Sequence, residues 1–172
     1  TVLNGIVDSG FSSALIRKKE VSQCDYNTMF FTNLGISCVL YSLLFICAPL
    51  ISSFFGRAEL ITLVRAMGCV LFLNALSITQ YTSLTKRLDF KTKTKASFTS
   101  AVGSGVIGIA MAYMGFGVWS LVAQQLSKQL LYTVCLWVLN RWKPSRDFSK
   151  ESFRYMWGFG SKMMLSGLLN NI

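Results

Sequence analysis

Long stretches without a charged residue alternate with short charged segments along this chain. Between Asp25 and Arg57 lie 31 uncharged positions rich in Phe, Leu, Ile and Val, and further uncharged runs cover 66–85 and 96–127. About 20 apolar residues suffice for a helix to cross a bilayer. Gly115 and Gly117 divide the last run where a tight turn between antiparallel helices is expected. The pattern predicts complete membrane spans at about 27–51, 60–85, 96–114 and 118–140.

The two ends of the chain predict incomplete spans. Residues 1–16 are mostly apolar and stop at the basic cluster 17–19, and residues 156–172 begin a new apolar segment after a polar loop at 143–155. We therefore expect an all-α, polytopic transmembrane helix bundle that is a fragment of a longer protein.

The distribution of basic residues predicts the orientation of these spans. Of the 17 Lys and Arg residues, 13 lie in the segments 17–19, 86–95 and 141–154, whereas the loops between them contain only Arg57. Short cytoplasmic loops carry the positive excess in membrane proteins, so the three basic segments, including 143–155, are predicted to be cytoplasmic. Because the charges fall between spans, we do not expect a nucleic-acid partner, despite the formal net charge of +10.

Composition argues against most enzyme classes. The chain is 52% hydrophobic and has no histidine, which removes Ser-His-Asp triads and His-containing zinc sites. Its five cysteines show no CxxC spacing. The motif at 103–108 matches GxGxxG, but no acidic residue follows at the required distance, and Ala96, Ser100, Ser104, Gly108 and Ala112 instead recur at every fourth position. We expect a helix-packing face there, and no catalytic residue, metal site or cofactor.

Polar or ionisable residues inside predicted spans are the candidates for substrate contact, because such groups are costly in hydrocarbon unless they face a cavity or a partner. They are Lys128, Gln124, Gln125, Asn74 and Asp8. Lys128 is expected near the bilayer midplane, with Gln124 one turn earlier on the same face.

Structural alternatives remain open for each of these residues. Lys128 either lines an aqueous cavity suited to an anionic headgroup or pairs with an acid elsewhere. Asp8 is one such acid, and the pair would be either structural or exchanged during transport. On the span at 60–85, Asn74 is expected to face inward with Ser77 and Tyr81, whereas Arg65 extends to the external interface.

Several sequence runs resemble one family of membrane proteins. They are Asp8–Ile16, Ala48–Ile51, Lys86–Phe90, the most specific run Gly115–Gln125, Arg141–Pro144 and Phe159–Gly160. In order and over nearly the whole chain, they are similar to polysaccharide flippases of the Wzx type, in the multidrug/oligosaccharidyl-lipid/polysaccharide exporter superfamily.

This resemblance implies a fold of two helical lobes around a central cavity. Residues 1–142 would then form helices of the amino-terminal lobe without its first helix, and 156–172 would start the seventh. The implied activity is movement of undecaprenyl-pyrophosphate-linked oligosaccharide to the periplasmic leaflet of the bacterial inner membrane by alternating access. Partners in a polysaccharide polymerase or synthase complex are also expected.

Two other functions remain compatible with the sequence. One is a cation-coupled multidrug antiporter of the same superfamily, in which Asp8 would bind the coupling ion. The other is a non-catalytic scaffold subunit of a polysaccharide synthesis complex, in which the intramembrane polar residues only hold helices together.

Overall fold

Four long helices make up most of the described chain. A computed structural model describes residues 12, 15–16, 21–57, 59–140, 144–145, 149, 152–154 and 158. The helices are α1 (Gln23–Phe55), α2 (Glu59–Lys86), α3 (Phe90–Tyr113) and α4 (Val118–Leu139). All regular secondary structure in this part of the chain is helical, which confirms the predicted all-α bundle.

Three of the described helices, α1, α2 and α3, are long and apolar enough to cross a membrane. Helix α4 has 22 residues, enough for a crossing by length. Its centre is more polar because it contains Gln124, Gln125, Lys128 and Gln129. Four complete crossings therefore remain a prediction, supported by the length of α4 and not by its hydropathy.

The ends of α1 follow from local capping chemistry. Helix α1 starts at Gln23 rather than at about 27, because the Asp25 carboxylate accepts a hydrogen bond from the Ser22 backbone N–H at 2.9 Å. The helix ends at Phe55 and is capped by Gly56, whose φ of 65° lies in the left-handed region that glycine adopts without strain. The turn predicted at 115–117 is present between α3 and α4, with positive φ at Gly115 and Gly117.

Helix α3 begins at Phe90, earlier than the predicted start at 96. The Asp89 carboxylate caps it by accepting hydrogen bonds from the Thr92 backbone N–H at 3.1 Å and the Thr92 hydroxyl at 2.7 Å. These bonds, together with the Lys91 and Lys95 charges, hold the pKa of Asp89 below its usual value of 3.8. Lysines 91, 93 and 95, expected in a loop, therefore lie on the first turns of a helix.

The helices pack in the order α1, α2, α4, α3. Helix α2 contacts both α1 and α4, and α4 contacts α3 most extensively. On α3, the predicted small-residue face is buried at four of its five positions: Ala96, Ser100, Ser104 and Gly108. Ala112, the fifth, is exposed. The packing interpretation of the GxGxxG motif is therefore confirmed, and the packed face ends one turn earlier than the periodicity predicts.

The segment after α4 returns to the start of α1. The Ser152 hydroxyl donates to Asp25 Oδ1 at 2.5 Å, and the Ser149 backbone N–H donates to the Thr28 hydroxyl at 3.1 Å. The Asn27 side-chain amide donates to the Ser145 hydroxyl at 2.6 Å. This part of the predicted loop 143–155 is thus fixed to α1 by hydrogen bonds to buried side chains.

Candidate functional site

A polar cavity of about 290 Å³ lies beside α2 and α4. Helix α2 contributes Asn74, Ser77, Ile78 and Tyr81, and α4 contributes Tyr132; Ser12 completes the described lining. Residues spaced by three and four positions lie on the same face of a helix, which is why Asn74, Ser77 and Tyr81 meet here. The described lining therefore carries one amide, two aliphatic hydroxyls and two phenol groups.

Gln129 supplies the polar contact between the two helices at this cavity. Its side-chain amide donates to the Ser77 hydroxyl at 3.1 Å and lies 3.5 Å from Asn74 Oδ1. The same face of α4 continues with Thr133, whose hydroxyl donates to the Leu73 carbonyl oxygen at 3.0 Å. The sequence analysis did not identify Gln129. The signal for it was the spacing of polar or hydrogen-bonding residues at 129, 133, 137 and 140 on one helix.

Two further contacts extend this α2–α4 contact surface. The Trp137 indole N–H donates to the Leu76 carbonyl oxygen at 3.0 Å, and the Asn140 side-chain amide donates to Gln80 Oε1 at 2.7 Å. Trp137 thus contributes to the packing of α4 on α2. Hydrogen bonds between transmembrane helices contribute about 0.6 kcal/mol each on average, so these contacts together stabilise the approach of α4 to α2.

The structure separates the residues that the sequence analysis grouped. Asn74 lines the cavity, but Gln124 packs against α3, where a methyl group added at Gly108 would lie 3.0–3.1 Å from three of its atoms. Five residues rotate a helix by about 140°, so Gln124 and Gln129 face different neighbours. Gln125 and Lys128 are exposed on the described part of the bundle, and Asp8 lies outside the described residues.

The charged side chains of α2, α4 and the start of α3 have distinct environments. Lys128 precedes Tyr132 by one helical turn, so both lie on the same side of α4. The Lys93 ammonium lies 3.8 Å from the Tyr81 ring centroid and donates to the Thr85 hydroxyl at 3.0 Å. This cation–π contact fixes the Tyr81 ring. Arg65 lies away from the cavity, with its guanidinium 3.9 Å from the Phe45 ring centroid.

Within the described residues, no three His, Cys, Asp or Glu side chains are close enough together to hold a metal ion. The described lining of the cavity is uncharged. Its amide and hydroxyl groups can both donate and accept hydrogen bonds, which suits a ligand rich in hydroxyl groups.

Comparison with known proteins identifies the family. A family model described as polysaccharide biosynthesis protein matches residues 1–172. The chain belongs to the polysaccharide biosynthesis protein family. This result confirms the family resemblance inferred from the sequence runs, and it places the polar cavity in a polysaccharide biosynthesis protein.

Two relatives match nearly the whole chain. The teichuronic acid biosynthesis protein TuaB of Bacillus subtilis (strain 168) is 30% identical over 97% of the chain and 35% of its own length. The succinoglycan biosynthesis transport protein ExoT of Rhizobium meliloti (strain 1021) is 28% identical over 95% of the chain and 33% of its own length. The chain thus spans about a third of each relative. No solved structure matches it.

Proposed function

We propose that this chain forms helices of the amino-terminal lobe of a non-enzymatic transporter, and that the transporter moves undecaprenyl-pyrophosphate-linked oligosaccharide across the bacterial inner membrane during polysaccharide biosynthesis. Membership of the polysaccharide biosynthesis family supports a role in polysaccharide biosynthesis. The name of the Rhizobium meliloti relative, a succinoglycan biosynthesis transport protein, supports transport. The membrane-spanning helices support a multi-pass location.

The polar cavity, whose described lining is uncharged, is the observation that carries this proposal. Sugar hydroxyls both donate and accept hydrogen bonds, and the side chains of Asn74, Ser77 and Tyr132 can do the same. Aromatic rings at Tyr81 and Tyr132 add flat apolar surfaces against which a sugar ring can pack. A cavity of this composition inside a helix bundle suits a glycan better than an apolar drug.

A second part of the proposal concerns the pyrophosphate group. A diphosphate that crosses hydrocarbon needs a cationic partner and hydrogen-bond donors. Lys128 supplies a cation on the same side of α4 as Tyr132, and the neighbouring Gln125 is also exposed. We assign the diphosphate to Lys128 and Gln125, and the sugar to Asn74. Gln124 and Asp8 remain candidates for later steps of alternating access.

The direct test measures which leaflet holds the lipid-linked oligosaccharide. Cells depleted of the protein are treated with a membrane-impermeant sugar label. The proposal expects the lipid-linked oligosaccharide to accumulate where the label cannot reach it, on the cytoplasmic side. A distribution equal to that of undepleted cells would refute the flippase proposal.

Matched variants then test the cavity. Ser77→Ala removes the hydroxyl that accepts from Gln129, and Ser97→Ala removes an exposed hydroxyl on α3 as the control. A sugar that loses one hydrogen bond, about 0.5–1.5 kcal/mol, binds ~2- to 12-fold more weakly, so we expect a matching fall in transfer at limiting substrate for Ser77→Ala only. Lys128→Ala is expected to abolish complementation at normal membrane levels. Unchanged complementation would remove Lys128 from the mechanism.

A further inference from the structure

A second concave surface lies on the first two turns of α3. This groove, of about 520 Å³, is lined by Phe90, Lys91, Thr94, Lys95 and Phe98, and we call it the α3 groove. Its two phenylalanines are 55% and 70% exposed, and both lysines are exposed. Two aromatic rings and two cationic groups therefore share one open surface beside the α2–α3 junction.

The α3 groove faces away from the other helices that the structure describes. The packed face of α3 contains Ala96 and Ser100, which are buried against neighbouring helices. Phe98 is two residues from each, a rotation of about 200° around the helix. The groove is therefore on the opposite side of α3 from the packed face, and it is separate from the cavity lined by Asn74 and Tyr132.

The lysines of this region divide into two sets. Lys93 is engaged by the Tyr81 ring and the Thr85 hydroxyl, and Lys86 donates to the Leu15 carbonyl oxygen at 3.4 Å. Lys91 and Lys95 have no hydrogen-bond partner in the part of the chain that the structure describes. The nearby Asp89 carboxylate already accepts two hydrogen bonds from Thr92. The two ammonium groups in the groove are thus available to an anion.

Along α3, the groove residues are spaced so that the lysines can lie at the headgroup layer of a leaflet and Phe98 at its acyl chains. Lys91 and Lys95 are four residues apart on one helix face, where two like charges repel each other unless an anion lies between them. Phe90 and Phe98 are about 12 Å apart along the helix axis. The basic segment 86–95 is predicted to be cytoplasmic, so Phe98 lies on the bilayer side of the lysines, at the depth of acyl chains.

We propose that the α3 groove binds an anionic phospholipid of the cytoplasmic leaflet, with the phosphate between Lys91 and Lys95 and the acyl chains against Phe98. Thr94 donates a further hydrogen bond to the headgroup. The groove faces outward, away from the cavity, which favours a resident lipid over the transported molecule. The proposal rests on the fold and the predicted orientation, and not on the proposed transport activity.

Native mass spectrometry with added phosphatidylglycerol or phosphatidylcholine tests the proposal. The protein is purified from membranes in mild detergent, and retained lipids are counted as the lipid concentration rises. Each lysine near an anionic membrane surface contributes about 1 kcal/mol to the binding free energy. Lys91→Gln is therefore expected to weaken phosphatidylglycerol binding ~5-fold, and the double variant with Lys95→Gln is expected to weaken it ~30-fold. Phosphatidylcholine binding is expected to be unchanged.

Two control variants make the result specific. Arg57→Gln removes the same charge from an exposed residue at the other end of α2, and it is expected to leave phosphatidylglycerol binding unaltered. The double Lys→Arg variant at 91 and 95 keeps the charges and is expected to bind as the unaltered protein does. Equal binding by the double Lys→Gln variant, or an equal loss in Arg57→Gln, would overturn the proposal.

Competition distinguishes the two sources of a phosphate headgroup. Undecaprenyl diphosphate is added to protein already loaded with phosphatidylglycerol. The proposal expects no displacement from the α3 groove at equimolar concentration. Displacement of phosphatidylglycerol from the unaltered protein at equimolar concentration would show that the groove serves the transported lipid, and it would overturn the assignment to a resident phospholipid.

Discussion

The contact between α3 and α4 at Gly108 predicts that a Gly→Ala substitution has opposite effects on stability at two positions one helical turn apart. Alanine at Gly108 would place its methyl carbon 3.0–3.1 Å from Cβ, Cγ and Cδ of Gln124. At Gly105, three residues earlier, the same methyl group would have no atom within 4 Å. Both glycines are inside α3, so the change in helix propensity is the same in the two variants.

These distances translate into opposite effects on stability. Gly105→Ala is expected to stabilise the protein by about 0.8–1.0 kcal/mol, because alanine favours the helix interior. Gly108→Ala gains the same amount but overpacks the contact with Gln124 at a cost of about 1–3 kcal/mol. The net effect at Gly108 therefore lies between neutral and about 2 kcal/mol destabilising.

Thermal unfolding in mild detergent measures the difference. For a chain of this size, about 1–3 kcal/mol corresponds to Tm values that differ by ~2–12 °C between the two variants. Adding Gln124→Ala to Gly108→Ala removes Cγ and Cδ, two of the three contacting atoms, and is expected to recover part of the loss. Equal Tm values for the two single variants would refute the packing of Gln124 on α3.

Three smaller predictions concern hydrogen bonds. Trp137→Phe keeps an aromatic ring but removes the indole N–H that donates to an α2 carbonyl oxygen, and it should lower the free energy of unfolding by at least about 0.5–1.5 kcal/mol in the same assay. Ser152→Ala removes the donor to Asp25 and should make the segment after α4 more sensitive to protease added on the cytoplasmic side; unchanged cleavage would contradict this contact. Folding lowers the pKa of Asp89, so the stabilising effect of its carboxylate is complete well above pH 3.8 and is lost as the pH falls below that value. The Tm of the unaltered protein should therefore exceed that of Asp89→Asn by less below pH 3.8 than at neutral pH.

The sequence predicted the helices better than the site, for a physical reason. Length and charge pattern suffice for a span, so α2 was predicted at 60–85 and observed at Glu59–Lys86. The start of α3 was missed because a run of lysines resembles a loop, although Asp89 provides a cap that outweighs this. Charge patterns identify loops only when no such local cap extends the helix.

The candidate site depended on helix rotation, which composition alone does not supply. Lys128 stood out as a charge in an apolar stretch, and Gln124 was grouped with it through one helical turn. The contact to Asn74 comes instead from Gln129, because that face of α4 is the one that meets α2. Which side of α4 contacts which neighbour depends on how all four helices pack, and a single helix does not encode it.

The attachment of the segment after α4 to the start of α1 has a consequence for biosynthesis. Asp25 and its partner Ser152 are separated by 127 positions in sequence. At a synthesis rate of about 5–20 residues per second, Ser152 is made ~6–25 s after Asp25. During that interval the buried polar groups of Asp25, Asn27 and Thr28 lack these partners, and water at the cytoplasmic surface must solvate them. The start of α1 is therefore expected to be shielded from water only after α2, α3 and α4 have been inserted.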